Sequence, residues 1–171
     1  MGELIIKKTS LERVLKILPS TNFIDFRGSY VELYNKGLLN RAGINIEFIQ
    51  DDISTSSKGV LRGIHGDTKT WKLVSCLSGS FFLVVVNNDP NSKEFKKWES
   101  FELSDKNREM ILIPPKFGNG HLVMTETAIF YYKQSTDYDR NGQFTIKWNS
   151  PELGIKWPIQ NPILSLRDSE G

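Results

Sequence analysis

The sequence predicts an all-β fold, and three observations carry that prediction. Short apolar runs rich in β-prone residues recur along the chain, with glycine, proline and asparagine cutting in about every eight to twelve residues. Phe81-Phe82-Leu83-Val84-Val85-Val86 is apolar on both faces, as a strand in the middle of a covered sheet must be. Helical spacing is confined to one stretch, where Leu11, Val14, Leu15 and Leu18 recur.

In order, Leu4-Ile5-Ile6 is a short strand. Ser10 is a residue type suited to capping, and the spacing from Leu11 to Leu18 after it predicts a short helix. Phe23 to Leu33 reads as a turn at Arg27-Gly28 leading into a strand, and Asn35 to Asn40 as a loop or a single helical turn. Ile44, Ile46 and Phe48 alternate with Asn45 and Glu47, the period of a half-buried strand that Gln50-Asp51-Asp52 closes. Ser54 to Gly59 is a loop. Leu61 to Cys76 supplies two strands and a polar link, and Ser78-Gly79 turns into the strand from Phe81. Trp98 to Leu103 alternates, and Pro114-Pro115 stops a strand from Met110 to Ile113. Leu122 to Met124, Ala128 to Tyr132 and Phe144 to Trp148 give the remaining strands. The tail from Pro151 has little periodicity and wraps the body. No repeat is visible, and residues 1–171 read as one domain. The predicted architecture is a double-sheet barrel of the jelly-roll or cupin type with a few short helices. Such a barrel encloses a pocket between its sheets.

Charge and composition narrow the function. With 22 basic and 20 acidic residues, the net charge of +2 is too balanced to point to nucleic acid or an anionic membrane. Met1 to Lys8 has no long apolar core and no cleavage site, and the run from Phe81 to Val86 is too short to span a bilayer. A cytoplasmic protein is expected. The one cysteine, Cys76, excludes an internal disulfide and sits in apolar company, as a buried inert thiol would.

The chemistry gathers at Val60-Leu61-Arg62-Gly63-Ile64-His65-Gly66-Asp67 and on to Lys72. A fixed cation, an imidazole, a carboxylate and an amine lie within thirteen residues. His65 is one of two histidines; the other, His121, is 56 residues away, and no H-x-H or H-E-x-x-H spacing exists, so no metal is expected. No dinucleotide, P-loop or G-x-S-x-G pattern is present, and any phosphate is better served by arginines such as Arg27 and Arg62. Proton transfer remains. His65 can act as a base if a carboxylate holds its tautomer, and a tyrosine at the strand end Tyr131-Tyr132 can act as an acid.

Several ordered motifs carry a resemblance. They are Phe23…Asp25-Phe26-Arg27-Gly28…Glu32, Phe48-Ile49-Gln50-Asp51-Asp52-Ile53-Ser54, Gly59 to His65, Lys72-Leu73-Val74, Ile113-Pro114, Tyr132-Lys133, Gly154-Ile155-Lys156-Trp157-Pro158 and Leu164-Ser165-Leu166-Arg167-Asp168. From about Phe23 to Asp168 the chain resembles the dTDP-4-dehydrorhamnose 3,5-epimerase family of cupin-fold sugar-nucleotide epimerases. The resemblance implies metal-free, cofactor-free epimerisation beside a 4-keto group, through an enolate. It implies His65 as base, Asp168 as the carboxylate orienting it, Lys72 beside the enolate oxygen and Tyr132 as acid. Arg27, Glu32, Gln50 and Arg62 would hold the nucleotide diphosphate and base, some of them reaching in from a partner subunit in a homodimer. It also turns the predicted helix into a strand over Arg13 to Leu18. Two departures stand out. His65-Gly66-Asp67 replaces the usual His-Tyr-Gln, and Asn119 stands where the family has its second histidine, with His121 at an aromatic position. Asn119 can donate to an enolate oxygen but carries no charge. The combination looks like a branch acting on GDP-linked 4-keto-6-deoxy-heptoses in bacterial capsule synthesis, inverting C3 alone or C3 and C5. A dTDP-hexose 3,5-epimerase of the rhamnose type, or a non-catalytic sugar-nucleotide-binding cupin, are the alternatives.

Overall fold

The computed structural model describes residues 3–171; Met1 and Gly2, part of the stretch read for a leader, lie outside them. Among the described residues, thirteen strands and two short helices follow the chain. They begin with β1 (Ile5–Lys8), β2 (Leu15–Leu18), β3 (Asn22–Asp25) and β4 (Gly28–Val31), followed by α1 (Lys36–Arg41). Next come β5 (Gln50–Ser57), β6 (Leu61–Gly66), β7 (Lys72–Ser78), β8 (Ser80–Asn87) and β9 (Trp98–Ser104). β10 (Met110–Ile113), β11 (Phe117–Val123), β12 (Thr127–Gln134), β13 (Phe144–Thr145) and α2 (Leu166–Glu170) complete the order. No helix among the described residues is long and apolar enough to cross a membrane.

Eleven of the strands form two sheets that face each other as a double-sheet barrel, and β3 and β4 pair only with each other. One has six strands in the order β1-β2-β10-β7-β12-β5, the other five in the order β13-β6-β11-β8-β9. Alternation along each strand sorts side chains to the inside and outside of the barrel. Inside, Val74 and Cys76 of β7, Phe81, Leu83 and Val85 of β8, Phe101 and Leu103 of β9, and Ile111 and Ile113 of β10 form one apolar cluster. Outside the six-stranded sheet, Ile17, Leu73, Met110 and Leu112 are covered by Leu39 of α1 and by Ile44, Ile46 and Phe48. Outside the five-stranded sheet, Leu61, Ile64, Val84, Val86 and Leu122 are covered by the tail, with Trp157 buried among them. Each Leu, Ile or Phe removed from water in this way contributes about 1.5–3 kcal/mol.

Several sequence expectations change. Leu11 to Leu18 is not a helix: the ladder places β2 between β1 and β10, and Arg13 has φ +63°, outside helical backbone. Leu11 and Val14 point into the barrel, whereas Leu15 packs outside it, so the spacing never belonged to one helix face. Ser10 caps nothing; its backbone N–H and hydroxyl donate to Glu99 Oε2 at 2.7 and 2.5 Å. Residues 44–48 are buried alternately but pair with no strand, and the strand lies instead at Gln50–Ser57, read from sequence as a polar end and a loop. The tail holds a short helix, α2, that its sequence did not announce. Cys76 is a free, buried thiol, and burial pushes it up to about 12.

Candidate active site

The barrel interior turns polar at one end. There a cavity of about 210 Å³ is lined by Arg62, Gly63 and His65 of β6, Asn119 and His121 of β11, Lys72 of β7, Phe130 and Tyr132 of β12, Ile53 and Ser54 of β5, and the loop residues Tyr138 and Gln143. His65, Arg62, Asn119 and His121 rise from the five-stranded sheet; Lys72, Tyr132 and Ser54 face them from the six-stranded one.

A β-bulge makes the histidine strand work. Arg62 and His65 are three residues apart and would point to opposite faces of a regular strand. The register shifts between Asn119 and His121, so His65 opposes Asn119 while Arg62 opposes His121, and both β6 side chains reach the cavity. Gly63 absorbs the irregularity at φ +112°, where a Cβ would lie 2.6 Å from the Asn119 carbonyl oxygen. Only glycine tolerates that approach.

His65 Nε2 lies 2.7 Å from Asp168 Oδ1 at an ion-pair distance, off the ideal N–H direction, and neither atom has another partner. Asp168 is buried at the first turn of α2. Ser165 caps that helix: its Oγ donates to Asp168 Oδ2 at 2.9 Å and accepts from the Asp168 N–H at 3.2 Å. Burial opposes ionisation of Asp168, but the bonds from His65 and Ser165 win and hold its carboxyl below the ordinary value. Lys72 is 6 % exposed, and its Nζ donates to Asn119 Oδ1 at 3.2 Å. Burial lowers the Lys72 amine, with Asp67 pulling the other way. Burial, with Asp52 and Tyr138 adding to it, pushes Tyr132 up to about 12, so its hydroxyl keeps its proton.

The nucleotide-binding expectations divide. Arg62 lines the cavity, its Nε held by Ser56 Oγ at 3.0 Å. Gln50 does not line it; its amide donates to Asp52 Oδ2 at 2.8 Å and its carbonyl accepts from the Tyr138 N–H at 2.8 Å, bracing the loop that brings Tyr138 over the cavity. Arg27 and Glu32 are not brought to this cavity at all. Arg27 pairs with Asp25 at 2.6 Å on an exposed hairpin that hydrogen-bonds to neither main sheet, and Glu32 accepts from Asn35 Nδ2 at 3.2 Å. Sequence reading gave no role to Ser54, His121, Tyr138 or Gln143. His121 was within reach of it, since it lies two residues from Asn119 on the same strand face.

A protein-family model described as dTDP-4-dehydrorhamnose 3,5-epimerase matches residues 8–171. The dTDP-4-dehydrorhamnose 3,5-epimerase of Shigella flexneri is 38% identical over 168 residues, covering 96% of this chain and 92% of the relative. Among solved structures, the dTDP-4-dehydrorhamnose 3,5-epimerase of Elizabethkingia anophelis NUHP1 superposes with a TM-score of 0.88 at 38% identity, over 98% of this chain and 94% of that one. The dTDP-6-deoxy-D-glucose-3,5-epimerase of Legionella pneumophila Philadelphia 1, in complex with dTDP-4-keto-L-rhamnose, superposes with a TM-score of 0.92 at 34% identity, over 98% and 91%. Nothing in these comparisons supports the GDP-heptose branch expected from Gly66-Asp67 and Asn119.

Proposed function

The chain belongs to the dTDP-4-dehydrorhamnose 3,5-epimerase family, and from that premise we propose that it inverts C3 and C5 of a dTDP-linked 4-keto-6-deoxy-hexose. The observation that carries the reading is the opposition of His65 and Tyr132 across the cavity, with Lys72 and Asn119 beside them. Inversion needs a base on one face of the sugar and an acid on the other, and two facing sheets supply that arrangement.

The 4-keto group acidifies the C–H bonds at C3 and C5. Nε2–H of His65 turned to Asp168 leaves Nδ1 to take a proton, and Asp168 stabilises the imidazolium that forms. The negative charge moves to O4, where the Lys72 amine and the Asn119 amide supply donors already in place; preorganised donors of this kind are often a large part of catalysis. Tyr132 returns a proton from the opposite face; solvent then reprotonates Tyr132 and takes the proton from His65, which resets the pair for the next inversion. Arg62 meets the diphosphate at the cavity. Arg27 on the β3–β4 hairpin and Glu32 just after it reach the nucleotide from a second copy in a homodimer, Arg27 at the diphosphate and Glu32 at the base.

The test is proton NMR of dTDP-4-keto-6-deoxy-glucose with the protein in D₂O. Deuterium entering C3 and C5 with net inversion is expected. His65→Asn lowers turnover roughly 100- to 10,000-fold, the range for a general base, and Tyr132→Phe exchanges deuterium without full inversion. Wild-type protein that exchanges neither position sinks the reading. Deuterium at C3 alone marks a C3 epimerase. A GDP-linked 4-keto-6-deoxy-heptose is the competing substrate, resting on Gly66-Asp67 and on the Asn119-x-His121 pair, and exchange with it alone would return the function to that branch.

A further inference from the structure

The proton relay leaves a buried cavity group, His121, unused. His121 is 4% exposed and lines the cavity, yet its Nε2 has no hydrogen-bond partner. A buried polar atom without a partner is disfavoured unless something absent from the protein supplies one. Apolar side chains suit a position of this burial far better when packing is the only requirement.

The surroundings fix the ring. His121 stacks on Phe130, with centroids 4.0 Å apart and planes inclined by 10°, and Phe81 packs against it at 5.2 Å. β11 sets Asn119 and His121 on the same face, two residues apart, and the His121 ring lines the cavity beside the Lys72–Asn119 pair.

We propose that His121 is a substrate-binding residue whose imidazole hydrogen-bonds the sugar ring of the nucleotide sugar, acting as a specificity-determining contact rather than as an acid or base. The proposal rests on the epimerase reading of the same cavity. The chemistry it recognises is a hydroxyl or keto oxygen of the hexose, not the nucleotide. Burial, with Arg62 adding to it and Asp168 opposing it, lowers His121 to about 3, so the imidazole stays neutral wherever His65 works. A neutral imidazole fixed in plane is a hydrogen-bonding group with direction, and a site built around such a group discriminates strongly between sugars that satisfy it and sugars that do not.

His121→Phe tests this, since it keeps the stacked ring and removes the nitrogens; His121→Gln restores a polar nitrogen and serves as the conservative variant. Turnover of dTDP-4-keto-6-deoxy-glucose and the Kd of dTDP alone are measured for each, with thermal unfolding as a check on the fold. The expected result for His121→Phe is a loss of about 10- to 100-fold in kcat/KM, an unchanged Kd for dTDP, and a pH–rate profile of unchanged shape. His121→Gln should recover part of the loss. An unchanged kcat/KM, an equal loss in dTDP affinity, or a pH–rate limb that disappears each overturns the proposal. Failure of the epimerase reading looks different: wild-type protein exchanges no deuterium, and the inference falls with it.

Discussion

Two neighbouring groups, an ionised carboxylate and a neutral imidazole, make the stability of this barrel sensitive to acid. Asp168 titrates below its ordinary value in the folded protein, so its contribution is present above the unfolded value and is lost as pH falls through the folded one. His121 acts through the other sign of charge with the same outcome. It is lowered to about 3 by burial against an ordinary value of 6.5, so between those values the unfolded chain binds a proton that the folded chain refuses. Stability therefore rises with pH across that window and falls as pH drops from 6.5 toward 3, by the order of a few kcal/mol. Urea midpoints for wild type and His121→Phe, taken from pH 7 down to pH 4, should diverge: the wild type loses more, because the variant has removed one proton acceptor from the unfolded chain. Parallel lines for the two would mean that His121 is protonated in the fold. The residues that titrate at this site were legible in the sequence as types. Their environment was not, because the neutrality of His121 comes from Phe130 and Phe81, which reach it from β12 and β8.

Elements differ in how plainly their sequence announces them, and the site draws on the least plain ones. Strands with both faces covered by apolar residues, such as β8, are readable as continuous apolar runs. β5 is not, because its inward face meets the polar end of the barrel: Asp52 accepts from Gln134, Ser54 lines the cavity and Ser56 holds Arg62. Alternation there is polar against polar, and periodicity arguments have nothing to measure. The first half of β11 is obscured by Gly118 and Gly120, which a reader takes for turn residues but which make room for Ile64. α2 is too short for a period, yet it delivers Asp168. Arg167 anchors it, donating to Thr145 Oγ1 at 3.2 Å and to Gln143 Oε1 at 3.3 Å. A chain ending after Leu164 keeps the bridge between Val60 and Ile163 and loses only this helix. Its thermal transition should stay near that of the full chain, while turnover falls roughly 100- to 10,000-fold, as for loss of the carboxylate that orients a catalytic histidine. Asp168→Asn in the full chain should fall by a similar factor. A truncated protein of normal turnover would show that α2 does not hold the base.

At the scale of the whole molecule, one feature of the monomer is incomplete. The β3–β4 hairpin stands apart from both main sheets and exposes Phe23 at 65%, Ile24 at 76%, Phe26 at 97% and Tyr30 at 65%. Four large apolar side chains on one small hairpin form a patch of the kind that marks a protein interface. The same hairpin carries Arg27, which the sequence assigned to the nucleotide and which does not line its own chain's cavity. β5, the edge strand of the six-stranded sheet, presents the cavity-lining Ile53 at 63% exposure, and Ile49 just ahead of the strand is 58% exposed. A second copy that set its hairpin against this edge would bury both apolar sets and bring Arg27 toward the partner's cavity in a single step. The homodimer proposed for function is then also what removes the exposed patch from water. Sedimentation of the wild type should give twice the mass of the 171-residue chain, and Phe26→Asp should give the single mass. The variant's KM for the dTDP-sugar should rise about 10-fold or more as the charge-assisted contacts of Arg27 are lost, whereas kcat at saturation, which depends on His65, Tyr132 and Lys72 of one chain, should change little. A monomeric Phe26→Asp protein with an unchanged KM would separate the dimer from the site and confine nucleotide binding to residues of one chain.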